Sequence, residues 1–131
     1  MRIPESHLDL LQENVKALAF LATIMEDGTP QVTPVWFSWD GTDILVNTAR
    51  GRVKDKNMRD RPYVALSIAD PDNPYRYLQV RGCVVESKTE GASEHINFLS
   101  MKYTGEPVYG GNPKEIRVIY RIKPENISAM G

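Results

Sequence analysis

The chain has 131 residues, 41% of them hydrophobic and 25% charged, and 16 Lys and Arg against 17 Asp and Glu leave a formal net charge of -1. These values describe one globular domain (residues 1–131) and exclude a disordered chain or one with general affinity for nucleic acid. The single cysteine, Cys83, excludes an internal disulfide and a multi-cysteine zinc site, and no run approaches the ~20 apolar residues that span a bilayer.

Met1-Arg2-Ile3-Pro4-Glu5 is not followed by the apolar region of a secretory leader, so a cytoplasmic protein is expected. Ser6 is placed to cap a first helix, with Asp9 three residues on. Leu8, Leu11, Val15 and Leu18 then fall at helical spacing, and the helix is predicted to end near Leu18. Ala19–Met25 is a short apolar run that leads into the Asp27-Gly28 turn. The predicted second strand is Gln31–Trp39. Pro34 within it cannot donate a ladder hydrogen bond, which marks an edge, a bulge or a close approach by another molecule. Strict alternation points Trp36 away from Phe37 and Trp39. After the Asp40-Gly41 turn, Asp43–Thr48 is a third strand. Links this short join antiparallel strands, because parallel units need a long crossover.

A short helix is predicted over Arg52–Asp60, and Arg61-Pro62 stops it. Tyr63–Ala69 is the fourth strand, and Asp70-Pro71-Asp72-Asn73-Pro74 is a loop. Tyr75–Ser87 is a long strand in which Gly82 marks a bulge or close approach, and Tyr77, Gln79 and Arg81 share a polar face. Thr89 is placed to cap a third helix over Glu90–Thr104, with Ile96, Leu99 and Tyr103 as its apolar stripe and Gly105 as its stop. The Gly- and Pro-rich stretch 105–113 reads as a loop, and Glu115–Lys123 as a last strand wetted on one side except at Ile119. Six antiparallel strands with three short helices close most simply as a small barrel; an open α+β sheet is the alternative.

The segment from Arg50 to Arg61 holds six cations (50, 52, 54, 56, 59 and 61) and two carboxylates (55 and 60) in a chain that is net negative. A strand end, Gly51 and a helix start meet there. Such a junction offers amide donors and cationic side chains to an anion, with Arg gripping phosphoryl oxygens in a fork. Arg50, Arg52 and Lys54 surround the junction, and Thr48 adds a hydroxyl. The nucleotide-binding glycine fingerprints are absent. His7 and His95 form no metal-ligand pattern, and no Ser-His-Asp arrangement or serine elbow is present. The absence of an evident acid, base or nucleophile fits chemistry carried by a cofactor, and equally a binding module.

Several pieces then match in order. They are Ile3-Pro4-Glu5-Ser6-His7, Asp27-Gly28-Thr29-Pro30-Gln31-Val32-Thr33-Pro34-Val35-Trp36-Phe37, and Thr48-Ala49-Arg50-Gly51-Arg52 with Lys54 and Asn57. Asp70 to Leu78, Val80-Arg81-Gly82 and Lys102-Tyr103-Thr104-Gly105 complete the series. On these residues the chain resembles the pyridoxamine 5'-phosphate oxidase-related FMN-binding split-barrel family, and within it the F420-dependent oxidoreductases. The resemblance implies an all-β core with flanking helices, built as a six-stranded antiparallel split β-barrel with Greek-key topology. It implies a homodimer with a non-covalent F420 or FMN at the subunit interface. By position, Asn47, Thr48, Arg50, Arg52 and Lys54 would hold the cofactor phosphate, with Asn57 bracing that loop. Pro34, Val35 and Trp36 would line the ring system, and residues around Tyr77 and Gln79 would come from the second subunit. Lys56 and Arg59 would supply charge for the acidic tail of F420. The implied activity is hydride transfer to a small organic acceptor; a non-catalytic cofactor carrier or sensor is the alternative. Nothing matches the clamp with which the oxidase holds its vitamin B6 substrate. No metal, nucleic-acid or membrane partner is expected.

Overall fold

The computed structural model describes residues 2–131. In chain order it contains β1 (Ala19–Ile24), β2 (Pro30–Val35), β3 (Phe37–Trp39), β4 (Ile44–Ala49) and α1 (Val53–Asp60), then β5 (Tyr63–Asp70), β6 (Asn73–Lys88), α2 (Ala92–Thr104) and β7 (Arg117–Met130). A 3-10 helix, Glu5–Leu11, precedes them. All strand pairs are antiparallel, in the order β2-β1-β5-β6-β7-β4-β3.

That order dictates the shape. β2 and β3 are separated in sequence by Trp36 alone, yet they occupy opposite edges of the sheet. The sheet therefore curls until its two edges meet at Trp36, which makes a barrel that is split there rather than zipped by a ladder. The long strands permit the curl. The β6–β7 register slips between Arg81 and Gly82 and again between Val84 and Glu86, and each slip bends the ribbon. Gly82 is required at the first slip, because a Cβ there would sit 2.5 Å from the Lys123 carbonyl oxygen.

The core fills from the inward face of each strand. Leu21, Phe37, Ile44, Val46, Leu66 and Tyr120 are among its buried members. Pro34 lies on an edge strand, as its missing amide demands. The Asp27-Gly28 and Asp40-Gly41 turns form as predicted. Gly28 takes φ 87° and Gly41 φ 100°, and each aspartate accepts a hydrogen bond from the amide two residues on.

Five expectations need correction. The first helix is a 3-10 segment ending at Leu11, not a helix to Leu18. Its N-cap is Pro4, while Ser6 bonds His7 and Asp9 pairs with Arg76. The predicted strand Gln31–Trp39 breaks at Trp36, so the split barrel has seven strands instead of six. The long strand starts at Asn73 and takes in Pro74. α2 starts at Ala92 behind Gly91 in the left-handed region, so Thr89 is not its cap. The last strand runs to Met130, because its distal half pairs with β6 beyond the point where alternation in the sequence fades. Among the described residues no helix is long and apolar enough to cross a membrane.

Candidate functional site

The end of β4, the loop into α1 and the start of β7 come together where the barrel is split. A pocket of about 220 Å³ opens there, and seven of the residues singled out in the sequence line it: Pro34, Val35 and Trp36 on one side, Asn47, Thr48, Arg52 and Lys54 on the other. Ile96, Tyr109 and Arg117 complete the wall. Three cations thus border a small space. Burial pushes the Lys54 ammonium below its ordinary value, and the Arg52 and Arg117 charges push it further. Arg117 is depressed by burial first, with Arg52 adding to the shift. Among the described residues Lys54 has no ion-pair partner, whereas Arg52 donates from Nη2 to Glu115 Oε2 at 2.9 Å at the exposed rim.

Two polar atoms on this wall are unsatisfied. Thr48 Oγ1 and Arg117 Nη1 are buried with no hydrogen-bond partner. Buried donors without partners are rare in folded proteins and call for a missing partner. Three cationic side chains and two orphan polar atoms on one wall suit an anionic group. The donor set therefore fits the phosphoryl group of a flavin-type cofactor.

The loop that carries Arg52 and Lys54 is held from behind by Asp55, which is fully buried. Its carboxylate accepts from Arg50 Nη1 (3.1 Å), the Gly51 amide (2.9 Å), Arg59 Nη2 (2.5 Å) and the Tyr120 hydroxyl (2.6 Å). Burial alone would raise the Asp55 carboxyl, but Tyr120, the Gly51 amide, Arg59 and Arg50 together hold it below its usual range. The same environment pushes the Tyr120 phenol up to about 12, burial first and the Asp55 carboxylate next. Arg50 and Arg59 are therefore engaged internally, and Arg50 does not line the pocket. Lys56 is exposed. Asn57 sits under the junction. Its amide nitrogen donates to Thr23 Oγ1 at 3.0 Å, and its oxygen accepts from Arg61, tying α1 to β1.

Asn47 is similarly saturated. Its Nδ2 donates to the Ala92 carbonyl (2.9 Å) and meets His95 Nδ1 at 3.1 Å, while its Oδ1 accepts from Arg117 Nε at 2.9 Å. The neighbours fix the amide's orientation, because a carbonyl can only accept and a guanidinium can only donate. His95 Nδ1 must then accept, so its proton sits on Nε2 and is donated to Ser38 Oγ at 2.9 Å. Burial depresses His95 to about 4, consistent with a neutral ring.

The aromatic wall is rigid. Trp36 stacks on Tyr103 with ring centres 5.4 Å apart and planes within 5°, and Tyr109 meets it edge-on at 6.1 Å. Tyr103 is itself anchored by donating to the Ala17 carbonyl at 2.5 Å. Tyr77 and Gln79 lie away from this pocket, on the outer face of the sheet. The registers Phe20↔Pro34, Phe20↔Ser67 and Ser67↔Gln79 put them on one face with Pro34.

Sequence reading missed Arg117, Tyr109 and His95. The alternation of β7 assigned Arg117 to a wetted face, yet its side chain is only 8% exposed. Tyr109 comes from the 105–113 loop and lies 5.0 Å below the Arg117 guanidinium. No local signal marks these three residues, because Arg117 reaches the basic junction only through the β4–β7 pairing.

Comparison with known proteins finds relatives that match nearly the whole chain. The family model described as pyridoxamine 5'-phosphate oxidase matches residues 3–131. No curated protein matches the chain. Among solved structures, a protein described as an F420 reductase is 37% identical, with 96% of this chain and 98% of that one covered and a TM-score of 0.85. A conserved hypothetical protein from Mycobacterium tuberculosis is 24% identical over 99% of this chain and 86% of its own, with a TM-score of 0.74. A candidate pyridoxamine 5'-phosphate oxidase from Listeria innocua is 21% identical over 95% of each chain, with a TM-score of 0.72.

Proposed function

Because this chain belongs to the pyridoxamine 5'-phosphate oxidase family, we propose that it is an oxidoreductase that binds F420 or FMN non-covalently in the pocket at the barrel split. The carrying observation is the unsatisfied Thr48 hydroxyl beside the unpaired Lys54 ammonium. F420 is the first candidate, since the relative at 37% identity is an F420 reductase. When bound, such a cofactor supplies hydride transfer to a small organic acceptor.

The chain's own residues provide binding, orientation and shielding. Thr48, Arg52 and Lys54 hold the phosphoryl group, and the junction's amides and charges favour it over water. Pro34, Val35 and Trp36 flank the ring system. Stacking on Tyr103 keeps the Trp36 indole fixed, so that wall is pre-organised. Asn57 and Asp55 support the phosphate loop from behind without reaching the ligand.

The active form in this reading is a homodimer. Phe20 (45% exposed), Val32 (62%) and Tyr63 (68%) make an apolar outer face continuous with Pro34. A second copy seated there would bury that face and bring its Tyr77 and Gln79 towards the cofactor. Work in the cytoplasm suits a chain with one free cysteine.

Titration of the purified protein with F420 and with FMN tests the reading. Uptake of at least one at micromolar concentration is expected, followed by oxidation of the reduced cofactor with quinone, enone or nitroaromatic acceptors. Binding of neither would sink the proposal, and binding with no rate above free cofactor would leave a carrier.

A further inference from the structure

We propose that Arg117 is the inner phosphoryl-binding cation of this pocket, aimed by a fixed chain of hydrogen bonds that runs from Ser38 through His95 and Asn47. The inference rests on the phosphoryl-binding reading above and adds to it a ligand from another part of the chain, with two positioning residues behind it.

The argument starts from what Arg117 lacks. Its guanidinium is nearly buried, yet Nη1 has no hydrogen-bond partner, and its nearest carboxylate oxygen, Glu115 Oε1, is 3.9 Å away. Nε is held by Asn47 Oδ1 at 2.9 Å, and Tyr109 packs across the guanidinium face. Those contacts leave the guanidinium little freedom to turn. A buried cation held this firmly with one donor unused is costly unless something completes it. The other buried side-chain polar atom without a partner among the described residues, Thr48 Oγ1, belongs to the same pocket wall. One phosphoryl group has enough oxygens to accept from both, and its charge offsets the crowding of Arg52, Lys54 and Arg117.

Asn47 and His95 act through Arg117. Asn47 can present its oxygen to Arg117 only while its amide nitrogen is taken by Ala92 and His95. His95 can accept from that nitrogen only while its proton stays on the side of Ser38. Donation is therefore directional, from the Arg117 guanidinium through Asn47 and His95 to Ser38. No other arrangement of these four groups satisfies every acceptor.

Calorimetric titration of the full chain with F420, FMN and inorganic phosphate tests this, with thermal melts as the fold control. Arg117→Gln is expected to weaken the bound cofactor and phosphate about 10- to 100-fold, the scale of a lost charge-assisted hydrogen bond. Arg117→Lys keeps the charge without the fork and should fall between. Guanidinium ion added to Arg117→Gly should recover part of the loss, which a merely structural role would not give. Asn47→Ala should weaken binding in the parent chain and add little in the Arg117→Gln background. Unchanged phosphate affinity in folded Arg117→Gln, or no guanidinium recovery, overturns the assignment of Arg117. Equal effects of Asn47→Ala in both backgrounds overturn its positioning role. A parent chain that takes up none of the three probes breaks the cofactor reading itself, which separates that failure from this one.

Discussion

The basic stretch around α1 divides into two regions of opposite design. On the inner side, Arg50 and Arg59 converge on the buried Asp55 carboxylate, and every oxygen of that carboxylate is met by a donor. On the pocket side, Lys54 stands unpaired, Arg52 is paired only at the exposed rim, and Arg117 carries an unused donor. Arg50, Arg52, Lys54 and Arg59 are alike in kind and lie in one short segment, which Arg117 joins from β7. The difference is whether the protein supplies the counter-charge itself. Where it does, the cations are scaffold; where it does not, they await a ligand. This predicts that mutations on the inner side act on folding, and mutations on the pocket side act on binding.

The largest effect is expected at Asp55. Asp55→Ala removes the acceptor that gathers Arg50, Arg59, the Gly51 amide and the Tyr120 hydroxyl, leaving Tyr120 buried without its shortest partner. Breaking a buried charged network of this kind costs roughly 3–5 kcal/mol. Urea denaturation should show that loss in the absence of any cofactor. A loss below about 1 kcal/mol would mean that the inner network is not scaffold and that the contrast fails.

Acid should strike the two regions at different pH. His95, behind the pocket, titrates near 4 in the fold against 6.5 for an ordinary histidine, because burial disfavours its charge. Between those values the unfolded chain binds a proton that the folded chain refuses, so stability falls as pH drops through this window. The full loss is about 3 kcal/mol. Asp55 is held below the usual carboxylate range, so its contribution persists through that window and is lost only at lower pH. Stability measured from pH 7 to 4 should slope downward in the parent chain and flatten in His95→Gln. An equal slope in both would assign the acid sensitivity elsewhere.

How much of this was legible in the sequence follows the same division. Turn chemistry at Asp27-Gly28 and Asp40-Gly41, the edge position of Pro34 and the close approach at Gly82 are local, and each was readable from residue type alone. The junction from Thr48 to Lys54 was also readable, because strand end, glycine and cations are contiguous. Which cations are free was not. Arg50 and Arg52 look equivalent in sequence, but they are separated by where Asp55 and Glu115 fall in space. Arg117 and His95 reach the pocket only through the β4–β7 pairing and the placing of α2, neither of which leaves a local trace. The early end of the first helix has a similar cause. Leu11 is buried and Val15 packs against the core, but Leu18 is exposed, so helical spacing over that stretch did not correspond to one buried face.

Lys54 gives the smallest effect and the sharpest contrast. Lys54→Ala should weaken cofactor binding by about 1–3 kcal/mol, the scale of a lost hydrogen bond to a charged group. Unlike Asp55→Ala, it should leave the melting temperature of the ligand-free protein unchanged or slightly raised, because it relieves repulsion from Arg52 and Arg117. That repulsion, with burial as the larger cause, already lowers the Lys54 ammonium from its ordinary value. Affinity in the parent chain should therefore decline with rising pH earlier than an ordinary lysine would dictate, and Lys54→Ala should abolish that decline. Binding lost together with stability would place Lys54 among the scaffold cations. Binding lost with stability kept would confirm that a cation left without a carboxylate here belongs to the ligand.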